Sequence, residues 1–253
     1  MRDDLKTKIS RGEVSLGTWQ MIGNTAITEI MCQCDFDWVT IDLEHTGIAI
    51  DNALELIRVI DLAGKIPAVR VSSNDFTLIK RVLDSGAKII IVPMVMNGED
   101  ARKAVDAVYY PPKGTRGVGL SRAQAYGFGF AKYQEELNEQ AMVVAQIEHI
   151  DAIDNLEEIL KVDGIDATMI GPYDLSGSLG YPGNFDRDDF KQALQKYETL
   201  SRKMNKPMGY HITEPNKADV RDHINKGYSF IALGFDSYFL GKKCREVLED
   251  VRF

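Results

Sequence analysis

The stretch from Met142 to Asp174, MVVAQIEHIDAIDNLEEILKVDGIDATMIGPYD, constrains the fold more than any other part of the chain. Two short apolar runs, Met142 to Ile147 and Ala167 to Ile170, flank a helical pattern of Ile153, Leu156, Ile159 and Leu160. A strand, a crossover helix and a second strand form a right-handed parallel unit, so both strands deliver their carboxyl ends to one sheet edge. A carboxylate stands just past each run, Glu148 and Asp174. Two acids leaving adjacent parallel strands at the same edge can reach one point. A hard divalent cation such as Mg²⁺ or Mn²⁺ takes a few carboxylates and keeps positions open for water and substrate oxygens. The same residues could instead cap a helix near Ile150 and a turn, and spacing leaves both readings open.

The rest of the chain repeats the unit. Strand-like runs occur at Leu16 to Trp19, Trp38 to Ile41, Ile66 to Val71, Ile89 to Val92, Met142 to Ile147, Ala167 to Ile170, Pro207 to Ile212 and Phe230 to Leu233. Helical patterns alternate with them: Ala26 to Met31, Ala53 to Leu62, Phe76 to Leu83, Ala101 to Val108, Ile153 to Leu160, Phe190 to Met204, Lys217 to Asn225 and Tyr238 to Val251. Such alternation predicts α/β architecture, and this many units predict a (β/α)8 TIM barrel, one domain over residues 1–253, ahead of a doubly wound sheet. The longest break is Tyr109 to Lys132, with Pro111, Pro112 and several glycines. A connection this long is expected to be a lid or an interface element. Gly117 and Gly119 supply only GxG, without the third glycine and helix start of a phosphate-cradling loop, so no nucleotide cofactor is expected.

Composition excludes several classes. The net charge is −8 and the pI about 5.1, with Lys and Arg scattered, which argues against a nucleic-acid partner. Cys32, Cys34 and Cys244 are an odd set with no CxxC pair and read as reduced packing residues. No apolar run approaches the 18 or so residues of a membrane span, and the N-terminus has no apolar signal core, so a cytoplasmic protein is expected.

In a βα barrel the chemistry lies at the carboxyl ends of the strands. There the sequence places Trp19 and Gln20; Asp42, Glu44 and His45; Arg70; Gln146 and Glu148; Tyr173 and Asp174; and His211. The opposite end has Ala63-Gly64, Ser85-Gly86 and Lys226-Gly227 turns. One guanidinium, imidazoles and several carboxylates gather on one face, whereas independent structural needs would scatter them over both ends of the barrel. Alternation puts Tyr210 and His211 on opposite faces and does not say which points inward.

The segments Ile41-Asp42-Leu43-Glu44-His45, Val69-Arg70-Val71, Val92-Pro93-Met94, Gly114-Thr115-Arg116-Gly117-Val118-Gly119, Gln146-Ile147-Glu148 and Ile170-Gly171-Pro172-Tyr173-Asp174-Leu175-Ser176 resemble, in order, the HpcH/HpaI aldolase family. The resemblance implies a metal-dependent class II aldolase cleaving a 4-hydroxy-2-oxo acid, such as a 2-keto-3-deoxy sugar acid, to pyruvate and an aldehyde, or the reverse. It implies a divalent metal (Mg²⁺, Mn²⁺ or Co²⁺) on Glu148 and Asp174. Arg70 would sit at the 2-oxo group and His45 would be the base through a water. Asp42 and Asp84 would be tied to the histidine's orientation and basicity. Gln146 and the backbone around Pro172 and Tyr173 would hold the pyruvyl end; Trp19 and His211 are expected on the substrate from their strand-end positions, not from the resemblance. It also implies a dimer-based homo-oligomer, of the hexamer type, that exchanges its last helix. The chain departs from the family's pattern at Leu120 to Phe130 and at Gly209-Tyr210-His211, which bears on the aldehyde. A Schiff-base route needs a buried lysine, and the central strands hold none. The competing readings are a citryl- or malyl-thioester lyase and a non-catalytic barrel subunit; the presence of base, arginine and both acids weighs against the latter.

Overall fold

A computed structural model of the chain describes residues 5–251. Eight strands, β1 (Ser15–Gln20), β2 (Trp38–Asp42), β3 (Ile66–Arg70), β4 (Ile89–Val92), β5 (Met142–Ile147), β6 (Ala167–Ile170), β7 (Met208–Ile212) and β8 (Tyr228–Phe235), close a barrel in chain order. Every pairing is parallel, including β1 with β8. Helices between the strands form the outer layer, as the alternating pattern predicts.

Side-chain alternation divides the apolar residues into two clusters. Trp38, Ala68, Ile89, Ile91, Met142, Val144, Ala167, Met169, Phe230 and Ala232 fill the barrel interior with Leu5 and Ile9 of the first helix, Leu5–Ser10. Their neighbours Val39, Ile41, Val69, Ile90, Val143, Ala145, Ile147 and Ile231 pack outward against the helices. The widest interior pair, Trp38 and Phe230, stack at 4.2 Å. A Cβ on Gly17 would fall 2.0 Å from the Trp38 ring, so only glycine lets β1 approach it.

Several expectations are corrected. The helix read over Ile153 to Leu160 is two, Ile150–Asp154 and Leu156–Lys161, separated at Asn155. Tyr109 to Lys132 contains a 3₁₀ turn, Arg122–Gly127, and leads into a helix, Phe130–Gln140. It joins the end of helix Gly98–Val108 to the start of β5, which puts it at the amino-terminal end of the barrel. A lid over its own mouth is therefore topologically excluded. Of the three cysteines only Cys32 is buried; Cys34 and Cys244 are exposed and so are not core packing residues. The apolar face of the last helix, Asp236–Val251, is not covered by its own barrel: Leu240, Val247 and Leu248 are about half exposed. The sequence adds an apolar Phe253 just after this helix, and that residue lies outside the described ones. No helix among the described residues is long and apolar enough to cross a membrane.

Candidate active site

The inward positions that carry apolar side chains deep in the barrel carry polar ones at its carboxyl end. Continuing the inward alternation, Trp38 leads to Asp42, Ala68 to Arg70, and Val144 to Gln146 and Glu148. With Trp19, Met21, Met169, His211 and Phe235, the side chains of Asp42, Arg70 and Gln146 border a cavity of about 340 Å³, and Glu148 stands behind Gln146, to which it is hydrogen-bonded. Gly171, Pro172, Tyr173 and Asp174 complete its rim, with His45 and Thr213, and no lysine lines it.

Arg70 organises the floor. Its Nε and Nη2 donate to Asp42 Oδ1 and Oδ2 at 2.9 and 2.7 Å, a bidentate fork. Its Nη1 lies 3.0 Å from Glu44 Oε2, and its guanidinium is 5.3 Å from the Trp19 ring centre. Burial lowers the Arg70 pKa, but the Asp42 bonds and nearby carboxylates raise it more, leaving it above the ordinary guanidinium value. His45, more than half exposed, sits with Nε2 3.7 Å from Glu44 Oε2.

Glu148 does not cap a helix. His149 does that, accepting from Asp151 N–H at 3.1 Å. Glu148 instead turns into the mouth, where Oε1 accepts from Met94 N–H at 2.7 Å and Oε2 accepts from Gln146 Nε2. It is 2% exposed; burial raises its pKa, and the Asp174 charge raises it further. Asp174 lies in the first turn of helix Pro172–Ser178. A Cβ on Gly171 would fall 2.6 Å from Glu148 Oε2, so this glycine leaves the room that the carboxylate occupies.

Glu44 is placed at this edge by the sequence but given no role there. Burial pushes its carboxyl up to about 7, against Arg70, with Glu148, Asp42 and Asp174 adding to the rise. Its signal was present in the Asp-x-Glu-His spacing, since position 44 continues the inward alternation of 42. Four carboxylates therefore converge where one guanidinium is already engaged. Carboxylates perturbed by burial and by specific neighbouring charges in a cleft are candidates for function.

The residues fit a hard divalent cation. Among the described residues no group of three or more His, Cys, Asp or Glu is arranged to hold a metal. The pair Glu148 and Asp174 instead offers anionic oxygens, one deeply buried, whose mutual repulsion a cation would relieve. Gln146 Oε1 beside them is buried without a protein partner.

Asp84 does not join this group within one chain. It ends the helix Phe76–Ser85 at the amino-terminal end of the barrel, where Arg116 Nη2 donates to it at 2.6 Å and Gln124 Nε2 at 3.2 Å.

A family model described as HpcH/HpaI aldolase/citrate lyase matches residues 16–242. The chain belongs to this family. Among the family's proteins it is 35% identical over 237 residues to a hydroxypyruvate/pyruvate aldolase of Sagittula stellata, covering 93% of this chain and 92% of that one. It is 36% identical over 241 residues to a 2-dehydro-3,6-dideoxy-6-sulfogluconate aldolase of Pseudomonas putida, covering 95% and 93%. A solved HpcH/HpaI aldolase/citrate lyase family protein from Burkholderia cenocepacia superposes with a TM-score of 0.91 at 29% identity, over 98% of this chain and 99% of that one.

Proposed function

We propose that the protein is a metal-dependent class II aldolase that cleaves a 4-hydroxy-2-oxo acid, of the 2-keto-3-deoxy sugar-acid type, to pyruvate and an aldehyde, or runs the reverse. The observation that carries this reading is the convergence of Arg70, His45 and the buried Glu148 on one mouth in a family of aldolases. Glu148 and Asp174 would hold the cation, Mg²⁺, Mn²⁺ or Co²⁺. When bound it supplies Lewis-acid polarisation of the 2-oxo group.

The chain's own groups account for the proton and the charge. In cleavage His45 accepts the 4-hydroxyl proton through a water, the C3–C4 bond breaks, C4 becomes the aldehyde carbonyl, and the electron pair passes to the pyruvyl fragment as an enolate. The proton then returns to C3. His45 suits the task because its imidazole can both accept and return a proton and it stands on the rim of the mouth, open to solvent. Arg70, held in place by the Asp42 fork before substrate arrives, sets a fixed positive charge beside the developing oxyanion. Gln146 and the backbone at Pro172 and Tyr173 receive the pyruvyl carboxylate end, and Trp19 walls the site. The part assigned to Asp84, orienting His45, would have to come from the Asp84 of another copy, because its own barrel separates the two ends. The uncovered face of the last helix supports a homo-oligomer built on dimers, and the chain is proposed to work in the cytoplasm as one barrel domain.

A second reading, cleavage of a citryl- or malyl-type thioester, is favoured by one observation: a solved citrate synthase is 28% identical over 98% of this chain, with a TM-score of 0.87. One assay separates them. Purified protein is supplied with Mn²⁺ or Mg²⁺, or with a chelator, and offered 4-hydroxy-2-oxo acids and malyl- and citryl-thioesters. Metal-dependent pyruvate release from an oxo acid is expected; turnover of the thioesters alone would overturn the aldolase reading.

A further inference from the structure

The groups assigned above act on the pyruvyl half of the substrate, and the far wall of the mouth is formed by Trp19, Met21, His211, Thr213 and Phe235. His211 is the inward member of the pair left open by alternation. Tyr210 packs outward, edge-on to Tyr228 at 5.7 Å, whereas the His211 ring lies flat on Trp19 at 4.6 Å with 13° between planes. Its position is over-determined. β8 carries an extra residue opposite β1, between Ala232 and Phe235. There Gly234 adopts a left-handed φ of 53°, at a place where a Cβ would strike the Phe239 ring. The bulge presents Gly234 O to His211 Nε2 at 3.0 Å.

That contact settles the tautomer. A carbonyl only accepts, so Nε2 carries the ring proton and Nδ1 keeps a bare lone pair. Nδ1 makes no hydrogen bond to another described residue. Burial pushes the His211 pKa down to about 4, opposed in part by the Gly234 bond, so the ring is neutral at neutral pH. Around it Met21 and Phe235 are apolar, and the opposed charges of Arg70 and Asp42 act on it from the floor of the mouth.

We propose that His211 selects the aldehyde half of the substrate by accepting, at Nδ1, a hydrogen bond from a hydroxyl on that half, so that the enzyme prefers hydroxyaldehydes to plain aliphatic ones. The inference rests on the aldolase reading. It also disfavours aldehydes ending in a carboxylate, because a carboxylate offers Nδ1 no proton. A site that pairs with a substrate hydroxyl rejects the analogue lacking it, since its own polar atom is then left unpaired.

The test is aldol addition of pyruvate, with Mn²⁺ present, to glyceraldehyde and to propanal. The readout is the ratio of the two kcat/KM values in the wild type and in His211→Phe, which keeps a ring on Trp19 but removes the acceptor, with His211→Leu as a second variant. The wild type is expected to favour glyceraldehyde, and the ratio to fall about tenfold or more in either variant, the scale of one lost hydrogen bond. His211→Asn, whose amide oxygen stands near the Nδ1 position, is expected to restore part of it. A ratio unchanged by substitution, or equal losses on both aldehydes, overturns the proposal. Exchange of pyruvate methyl protons with D₂O needs no aldehyde and keeps the two readings apart. A wild type that exchanges but shows no hydroxyl preference overturns the role of His211 and spares the aldolase, whereas one that neither exchanges nor condenses overturns both.

Discussion

Each end of the barrel has an arginine–aspartate pair with one partner fully buried and the other mostly so, and the two are built to opposite purposes. At the amino-terminal end Arg116, 1% exposed, meets Asp84 at 2.6 Å and Tyr133 Oη at 2.9 Å, with Tyr110 and Tyr133 rings 5.0 and 5.6 Å from its guanidinium. One charge cancels one charge, and aromatic rings close the space around it. At the mouth Arg70 meets Asp42 as tightly, yet Glu44, Glu148 and Asp174 add three more carboxylates beside an open cavity. A buried pair alone is weak evidence of function. Surplus like charge next to open space is the stronger sign, because folding alone gives no reason to gather it.

This contrast is breakable, beginning with the largest effect. Arg70→Lys is expected to lower kcat/KM by about 10² to 10³, nearly as much as Arg70→Ala, since an ammonium cannot reproduce the fork on Asp42. A lysine variant with near-normal turnover would show that only charge counts at the mouth. His45→Ala is expected to lower kcat by about 10² or more while calorimetry still detects pyruvate binding; unchanged turnover removes His45 from the chemistry.

The other end should answer in stability. Arg116→Met leaves Asp84 without its cation, and urea unfolding is expected to lose about 3 kcal/mol, the scale of breaking one side of a buried pair. A loss near zero would mean that the two ends do not differ as described. Sedimentation at micromolar concentration is expected to show an oligomer, shifted toward smaller species by Leu240→Arg with Leu248→Arg; a monomeric wild type would return the last helix to its own barrel.

The smallest expected effect is a pH slope. A histidine whose folded pKa is about 4 is held neutral, so between pH 4 and its unfolded value near 6.5 the unfolded chain binds more protons than the folded one. Stability contributed by this neutral ring is then complete above about 6.5 and is lost as pH falls toward 4. The thermal midpoint of His211→Phe should depend less on pH across that window than that of the wild type. Identical slopes would mean that the ring is solvated in solution.

The sequence by itself determined the barrel and most of its mouth. Strand and helix periodicities are local properties of 4 to 16 residues, so the eight runs were legible without knowing their partners, and β4, β5 and β6 fall where the apolar runs do. The parallel crossover rule then placed Glu148 and Asp174, Asp42 and Arg70 at one end before any contact was known. Tertiary structure alone decided the rest. Whether Tyr210 or His211 faces inward depends on the register against β8 and on the bulge at Gly234, to which period-two alternation is blind. Glu44 gains its raised carboxyl from burial and from acids on other strands, none of them visible along its own segment. That Asp84 lies away from the mouth of its own chain is likewise a tertiary fact: a helix that starts at the mouth ends at the opposite end of the barrel, so its last turn belongs to a different neighbourhood from the strand that precedes it.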